Sequence, residues 1–221
     1  MNYKQLEKHL FAISDKKFAD FSKSLSNSDY ISIGVKNPVL KQIVKGHIED
    51  EELKLEDFEL GKYLEVDYLY FGLGLSRCKN YNEQLDFLDK NIYKAKSWAI
   101  TDTASTYMKK FPFEVYFNFF KDHCNSKHIY VRRMSYILGL KFHKEKGTLQ
   151  TLDYIKPNED YMVMMAEAWL MATLAIDFED EIYNHLSKCE DIILKRKTIS
   201  KICDSYRFDE TSKNRFKELR K

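Results

Sequence analysis

The sequence predicts an all-α protein in which short helices pack as successive pairs, and three observations support this fold class. Apolar residues recur at the three- and four-residue spacing of a helix, as in Leu6, Leu10 and Ile13. Only seven Gly and three Pro among 221 residues leave few positions for the turns that a β protein needs. No change of composition marks a boundary, so we expect one domain spanning residues 1–221.

The helices are predicted in order from the polar segments that interrupt the apolar pattern. Asn37-Pro38 predicts a helix with Asn37 as its cap and Pro38 as its first residue, and Pro112 and Pro157 also stand near helix starts. Breaks are predicted near residues 27–36, 47–54, 61–66, 79–82, 93–97, 110–113, 125–128, 145–148, 156–160, 177–180, 188–191 and 205–210. Helices this short must bury one another's faces, which indicates an α-solenoid or a bundle of helix pairs.

Charge is distributed unevenly along the chain, although the net charge is only +2. Between Glu49 and Asp67 there are nine acidic residues against two lysines. Lys121–Lys146 has seven Lys/Arg against two acids, and Lys188–Lys221 has eleven against six. The second half is therefore the better candidate for a surface that faces an anion, and ordinary solvated helix faces are the alternative.

The cysteines and the amino-terminal segment indicate a protein of the cytoplasm. Cys78, Cys124, Cys189 and Cys203 lie far apart and show no metal-ligand spacing, which predicts reduced thiols rather than a zinc site or disulfides. Met1–Lys16 is charged and lacks the apolar core of a secretion signal. No apolar run reaches the roughly 18 residues of a membrane span, so we expect no membrane association.

Three unusual residues, Trp98, Arg133 and Trp169, are separated by 35 and 36 positions. This interval matches one helix–turn–helix unit with its connection. In a regular stack of helix pairs the three residues would occupy equivalent positions and line one surface. Coincidence is the alternative interpretation.

The segment Ser97–Asp102 combines an aromatic ring with a carboxylate. Trp98 and Asp102 are four residues apart, so both side chains project from one face if the segment is helical. Alternatively, Asp102 caps a helix that begins near Thr103 and Trp98 anchors the core.

The segment His128–Met134 places Tyr130, Arg132 and Arg133 in an otherwise apolar helix. At least one guanidinium must therefore reach a solvent-filled groove or an anion, for which phosphate is a natural partner. An ion pair with an acid of a neighbouring helix is the alternative.

The run Tyr161–Ile176 is apolar nearly all round, which predicts a central helix buried on most sides. Glu167 is its one charged residue, and it either pairs with a buried base or faces the same groove as the neighbours of Trp169.

Five segments resemble, in order and spacing, the landmarks of the AlkD-like DNA alkylation-repair family. They extend from about Ile31 to Tyr206 and read ISIGVKNPVLKQIVK, KSWAITDTAS, SKHIYVRRMSYILGLKF, YMVMMAEAWLMATLA and KRKTISKICDSY. The resemblance implies a right-handed α-α superhelix of HEAT-like helix pairs whose concave face holds double-stranded DNA with alkylated bases. It also implies a monofunctional DNA glycosylase that releases cationic 3-methyladenine and 7-methylguanine with no cofactor and no metal, and we expect it to act as a monomer.

The resemblance also implies a role for each candidate residue. Trp98 and Trp169 match the two site tryptophans, and their indole faces would attract the cationic nucleotide. Asp102 matches the essential carboxylate, which would stabilise an oxocarbenium-like sugar and orient the attacking water. Arg133 matches an arginine that holds a DNA phosphate. The residues expected to contact DNA are Arg133, Arg132 and Tyr130.

Some positions depart from the family pattern. Met165, Met171 and Leu40 stand where active members commonly carry basic residues, which predicts a thinner positive charge on the surface that faces DNA. Two alternatives to the glycosylase therefore stay open. One is a helical-repeat protein that binds unusual or damaged DNA without catalysis, and the other is a scaffold for protein interactions.

Overall fold

The computed structural model of the protein describes residues 1–26, 28–156 and 160–220. These residues group into two compact units, Met1–Lys110 and Phe111–Lys221. Both units are helical, which confirms the predicted all-α class, and a lone parallel bridge between Ile31 and Tyr63 is the strand pairing found in the described ranges. The single domain expected for the whole chain stays a prediction.

The first unit is organised around one buried helix. Its α-helices in the described residues are α1 (Tyr3–Ala12), α2 (Lys16–Ser26), α3 (Asn37–Gly46), α4 (Leu64–Arg77), α5 (Tyr81–Asn91) and α6 (Trp98–Tyr107). Short 3₁₀ turns cover Leu55–Asp57 and Ile92–Lys94. Helix α4 is buried along most of its length because it packs against both α3 and α6.

The second unit also has a central helix. Its described α-helices are α7 (Phe113–His123), α8 (Ile129–Gly139), α9 (Tyr161–Leu174), α10 (Glu179–Lys188), α11 (Ile192–Asp204) and α12 (Glu210–Lys217), and its 3₁₀ segments are Leu140–Phe142, Lys146–Tyr154 and Glu218–Arg220. Helix α9 packs against both α8 and α11, which confirms the central helix predicted from the apolar run.

The helix starts recur with a nearly constant spacing, which identifies the repeat. Helices α4, α6, α8, α9 and α11 begin at positions 64, 98, 129, 161 and 192. A second series of helical segments begins at positions 81, 113, 146, 179 and 210, and its third member is the 3₁₀ segment Lys146–Tyr154. Both series keep the spacing of one helix pair that is typical of helical repeats. Inside each unit, successive helices of the first series pack together, as α4 does with α6 and α9 does with α11.

Three predicted elements differ from the structure. The segment 1–26 forms two helices rather than one, because the Asp15 carboxylate accepts a hydrogen bond from the amide of Phe18 (3.1 Å) and begins α2. Between the breaks predicted at 47–54 and 61–66 there is only the turn Leu55–Asp57 in this described stretch. The segment Lys146–Tyr154 is 3₁₀ rather than α-helical, and the hydroxyls of Thr148 and Thr151 bond to main-chain carbonyls there.

The prolines mark helix starts with one correction. Helix α3 begins at Asn37, one residue before the predicted start at Pro38, so its cap residue is Lys36 rather than Asn37. Pro112 is the residue that precedes α7. Pro157 lies outside the described residues. In the described ranges, no helix combines the length and the apolar character needed to cross a membrane.

Candidate functional site

The candidate residues of the first unit lie at the start of α6. Ser97 precedes this helix, and its hydroxyl accepts a hydrogen bond from the amide of Ala99 (3.2 Å). Trp98 is therefore the first helical residue, and its indole is half-buried. The indole Nε1 donates to the carbonyl of Leu25 at 3.3 Å, which fixes the ring against the end of α2.

Asp102 lies one turn further along α6, on the same face as Trp98. Its half-buried carboxylate accepts a hydrogen bond from the Thr101 hydroxyl at 3.2 Å, and the same hydroxyl lies 2.8 Å from the carbonyl of Trp98. The alternative in which Asp102 caps a helix near Thr103 is wrong, because Ser97 caps the helix and Asp102 is in its interior. The carboxylate thus lies on the helix face that also carries the indole, and it shares the single Thr101 hydroxyl hydrogen with the nearer carbonyl of Trp98.

The three candidates for DNA contact in the second unit lie in the first half of α8. Arg133 is only 4 % exposed, and its guanidinium donates to the carbonyl of Met162 at 2.5 Å. Arg132 and Tyr130 are half-buried. Met162 is in the first turn of α9, so Arg133 links α8 to the start of that helix. Contact of Arg133 with a phosphate stays a prediction.

Trp169 lies on α9 and is 39 % exposed. The ammonium of Lys201 on α11 lies over the indole, 5.5 Å from the ring centroid, which is within the range of a cation–π contact. The ring forms one wall of an open cleft of about 520 Å³. The polar residues that line this cleft include His143, Thr173, Lys201, Asp204, Ser205 and Arg207.

The equal sequence spacing of Trp98, Arg133 and Trp169 does not correspond to equal positions in their helices. They are the first residue of α6, the fifth of α8 and the ninth of α9. The starts of these helices, at positions 98, 129 and 161, are closer together than the three candidate residues are, so each step moves one turn further along its helix. One turn of four residues is about 6 Å, so the three side chains do not occupy equivalent positions.

The charged residue of α9 is buried rather than facing a groove. Glu167 is 2 % exposed and forms a hydrogen bond with the hydroxyl of Tyr136 on α8. Burial, above all, and then this carboxylate raise the pKa of Tyr136 well above its usual range. Glu167 is therefore a polar link between two core helices.

Two buried carboxylates of α4 were not predicted from the sequence, where they were only counted among the nine acidic residues of the stretch 49–67. Glu65 accepts hydrogen bonds from the amides of Ile33 (2.9 Å) and Gly34 (2.8 Å) and so anchors the segment that precedes α3. Asp67 accepts from the Tyr30 hydroxyl and from the amide of Gly61 (2.9 Å). The signal was available, since both acids stand inside the apolar run LEVDYLYFGLGL.

Burial dominates the electrostatics of Asp67. It raises the pKa of the Asp67 carboxyl to about 6, although the hydrogen bonds from Tyr30 and Gly61 and the charge of Lys96 act in the opposite direction. In the described part of the chain, no three His, Cys, Asp or Glu side chains come together as they would around a metal ion.

The spacing of the helix starts and the packing of successive helices define an all-α protein of the helical-repeat class. The family model described as DNA alkylation repair enzyme matches residues 6–203, which is most of the chain and includes every candidate residue described above. The protein belongs to this family of DNA alkylation repair enzymes. A comparison with proteins of curated function gave no match.

Proposed function

We propose that the protein repairs alkylated double-stranded DNA as a monofunctional glycosylase that releases 3-methyladenine and 7-methylguanine. The observation that carries the proposal is the half-buried Asp102 carboxylate, which lies one turn from Trp98 on the same face of α6. Membership in the alkylation repair family supports DNA as the ligand. The proposal includes action as a monomer, without metal or cofactor.

The proposed chemistry needs negative charge rather than a general acid. A purine alkylated at N3 or N7 already carries positive charge, so it leaves as a neutral base when its bond to the sugar C1′ breaks. The positive charge then develops on the sugar, where the Asp102 carboxylate stabilises it. A water molecule adds to C1′ and its proton passes to solvent, and Asp102 orients that water.

In this proposal the aromatic and basic candidate residues contact the DNA. Trp98 presents its indole on the same helix face as Asp102, and Trp169 supplies a second exposed aromatic ring. Arg132 and Tyr130 lie on α8 together with Arg133. The proposal also gives Arg133 a DNA phosphate, and because this guanidinium is 4 % exposed and bonded to the Met162 carbonyl, its side chain would have to rearrange to reach that phosphate.

The test is release of methylated bases by Asp102→Asn under single-turnover conditions. Removal of the charge should lower the rate about 10²- to 10³-fold, as loss of one preorganised electrostatic group does in other enzymes, with little change in affinity for the duplex. Asp86→Asn is the matched control, because Asp86 is an exposed acid of α5. The enzymatic proposal fails if wild-type protein releases no base, or if Asp102→Asn releases it at the wild-type rate.

A second candidate function, DNA binding without catalysis, is favoured by one contact. The ammonium of Lys201 already lies over the indole of Trp169, where a cationic base would otherwise be attracted. A protein of this kind would bind branched or damaged duplexes with steep salt dependence and leave every base in place. Absence of DNA binding even at low salt would instead favour the protein scaffold.

A further inference from the structure

Helix α9 exposes one narrow stripe of side chains in the second unit. Tyr161, Met165, Trp169 and Thr173 follow one another at four-residue intervals, and they are exposed or half-buried while most of the helix is buried. Tyr161 is 50 % exposed and Trp169 is 39 % exposed. Two large aromatic side chains of this helix are therefore exposed at the surface.

Each of these two rings carries a lysine ammonium from the neighbouring helix. Lys197 lies over Tyr161 at 5.6 Å, and Lys201 lies over Trp169 at 5.5 Å, both measured to the ring centroid. The two lysines are one turn apart on α11, which packs against α9. The same arrangement thus occurs twice along one pair of helices.

The charges around Trp169 determine which ligand this surface can take. A cationic base that approached the indole from the side of Lys201 would meet its ammonium, because that π face already has a cation over it. Arg207 is exposed at the same cleft, and the hydroxyl of Ser205 also lines it. Asp204 is the acid of the cleft, and His143 there is bonded to Asp177 at 2.6 Å.

We infer that the cleft beside Trp169 binds a phosphodiester group of DNA through Lys201 and Arg207, and that Trp169 does not hold the cationic alkylated base. The inference rests on the proposed function only in that DNA is the ligand. Lys201 has two effects here, since its ammonium attracts the phosphate and covers the indole. Residues other than Trp169 then distinguish the alkylated base from unmodified bases.

The first test measures binding of an undamaged duplex as a function of salt. Each lost phosphate contact should lower the slope of log K against log[salt] by about one, so Lys201→Gln and Arg207→Gln should each do so. Lys188→Gln is the matched control, because Lys188 is an exposed lysine of α10. Wild-type slopes in both cleft variants, in a protein that binds DNA, would overturn the inference.

The second test compares Trp169→Leu on two duplexes that differ only in 7-methylguanine. A ring that supports a phosphate site affects both duplexes alike, so the variant should lose the same factor of affinity for each. Selective loss on the methylated duplex would show that the indole holds the cationic base and would refute the inference. Failure of the proposed function is recognised separately, as absence of base release or of duplex binding by the wild-type protein.

Discussion

At the scale of single residues, the buried polar groups of this protein differ in whether they have hydrogen-bond partners. Glu65 and Asp67 are buried with hydrogen-bond donors around them, and Arg133 is buried against a carbonyl. Tyr116 is fully buried, yet its hydroxyl has no hydrogen-bond partner among the described residues. The free-energy cost of a buried polar group depends on whether it is satisfied, and Tyr116 and Asp67 allow that to be measured.

We expect Tyr116→Phe to leave the stability unchanged or raise the free energy of unfolding by about 1 kcal/mol. The substitution removes an unsatisfied hydroxyl and keeps the ring that stacks on Phe142 at 4.9 Å. The control is Tyr70→Phe, which removes a hydroxyl that donates to Asn91 at 2.6 Å and should cost about 1 kcal/mol. Urea unfolding measures both, and a loss as large in Tyr116→Phe as in Tyr70→Phe would contradict the argument.

Asp67 should give the stability a distinctive pH dependence. Its pKa is about 6 in the folded protein and near 3.8 when unfolded, so folding favours the protonated carboxyl. Its contribution is therefore complete below about pH 4 and is lost as the pH rises through 6. The loss is about 3 kcal/mol for a shift of this size.

The measurement is the difference in unfolding free energy between wild type and Asp67→Asn at pH 4 and pH 7. Asparagine keeps an oxygen that can accept from Gly61 but does not titrate. Wild type should lose stability relative to the variant as the pH rises. Other titrating groups, including Asp50, whose pKa is lowered to about 2 by His47 and the amino terminus, are common to both proteins and cancel. Equal pH dependence in the two proteins would exclude Asp67 as the cause.

At the scale of elements, close packing explains why α4 contains glycines that a helix would otherwise disfavour. A Cβ atom on Gly74 would lie 2.2 Å from the ring of Phe87 on α5, and one on Gly72 would lie 2.8 Å from a methyl of Val44 on α3. The glycines therefore allow α4 to approach its neighbours on both sides. The cost in helix propensity, about 1 kcal/mol per glycine, is offset by that packing.

Gly74→Ala should lower the free energy of unfolding by about 1–2 kcal/mol, because overpacking against Phe87 outweighs the gain in helix propensity. Gly46→Ala provides a matched control at the end of α3, where no atom lies within 4 Å of the added Cβ. That substitution should be neutral or slightly stabilising. Thermal unfolding compares the two, and equal effects in both variants would be evidence against close packing at Gly74.

At the scale of the whole molecule, the net charge is too small to attract DNA over long distances. The first unit has 17 Lys/Arg and 17 Asp/Glu, and the second has 19 and 17, so the net charge of +2 arises entirely in the second. A field this weak gives little long-range attraction to a polyanion. The affinity proposed for DNA must come from local groups such as Lys201 and Arg207, which is why the salt slope of single variants is informative.

The sequence determined the helical class, the central helix α9 and the positions of most helix starts, because apolar periodicity and cap residues are local signals. It missed the division at Ile13–Asp15 and the 3₁₀ segment Lys146–Tyr154, where short polar groups compete with the helix through their own hydrogen bonds. It singled out Trp98, Asp102 and Trp169, and their roles in catalysis stay predictions.

Only the tertiary structure decided which of these side chains are accessible and what they already contact. Arg133 is buried against Met162, while Lys201, to which the sequence assigned no role, lies over the ring of Trp169. Periodicity identifies the face of a helix but cannot identify the residue of another helix that packs on it. Contacts between helices that are distant in sequence determine which residue packs there. They therefore also determine which charged groups are buried and which a ligand can reach.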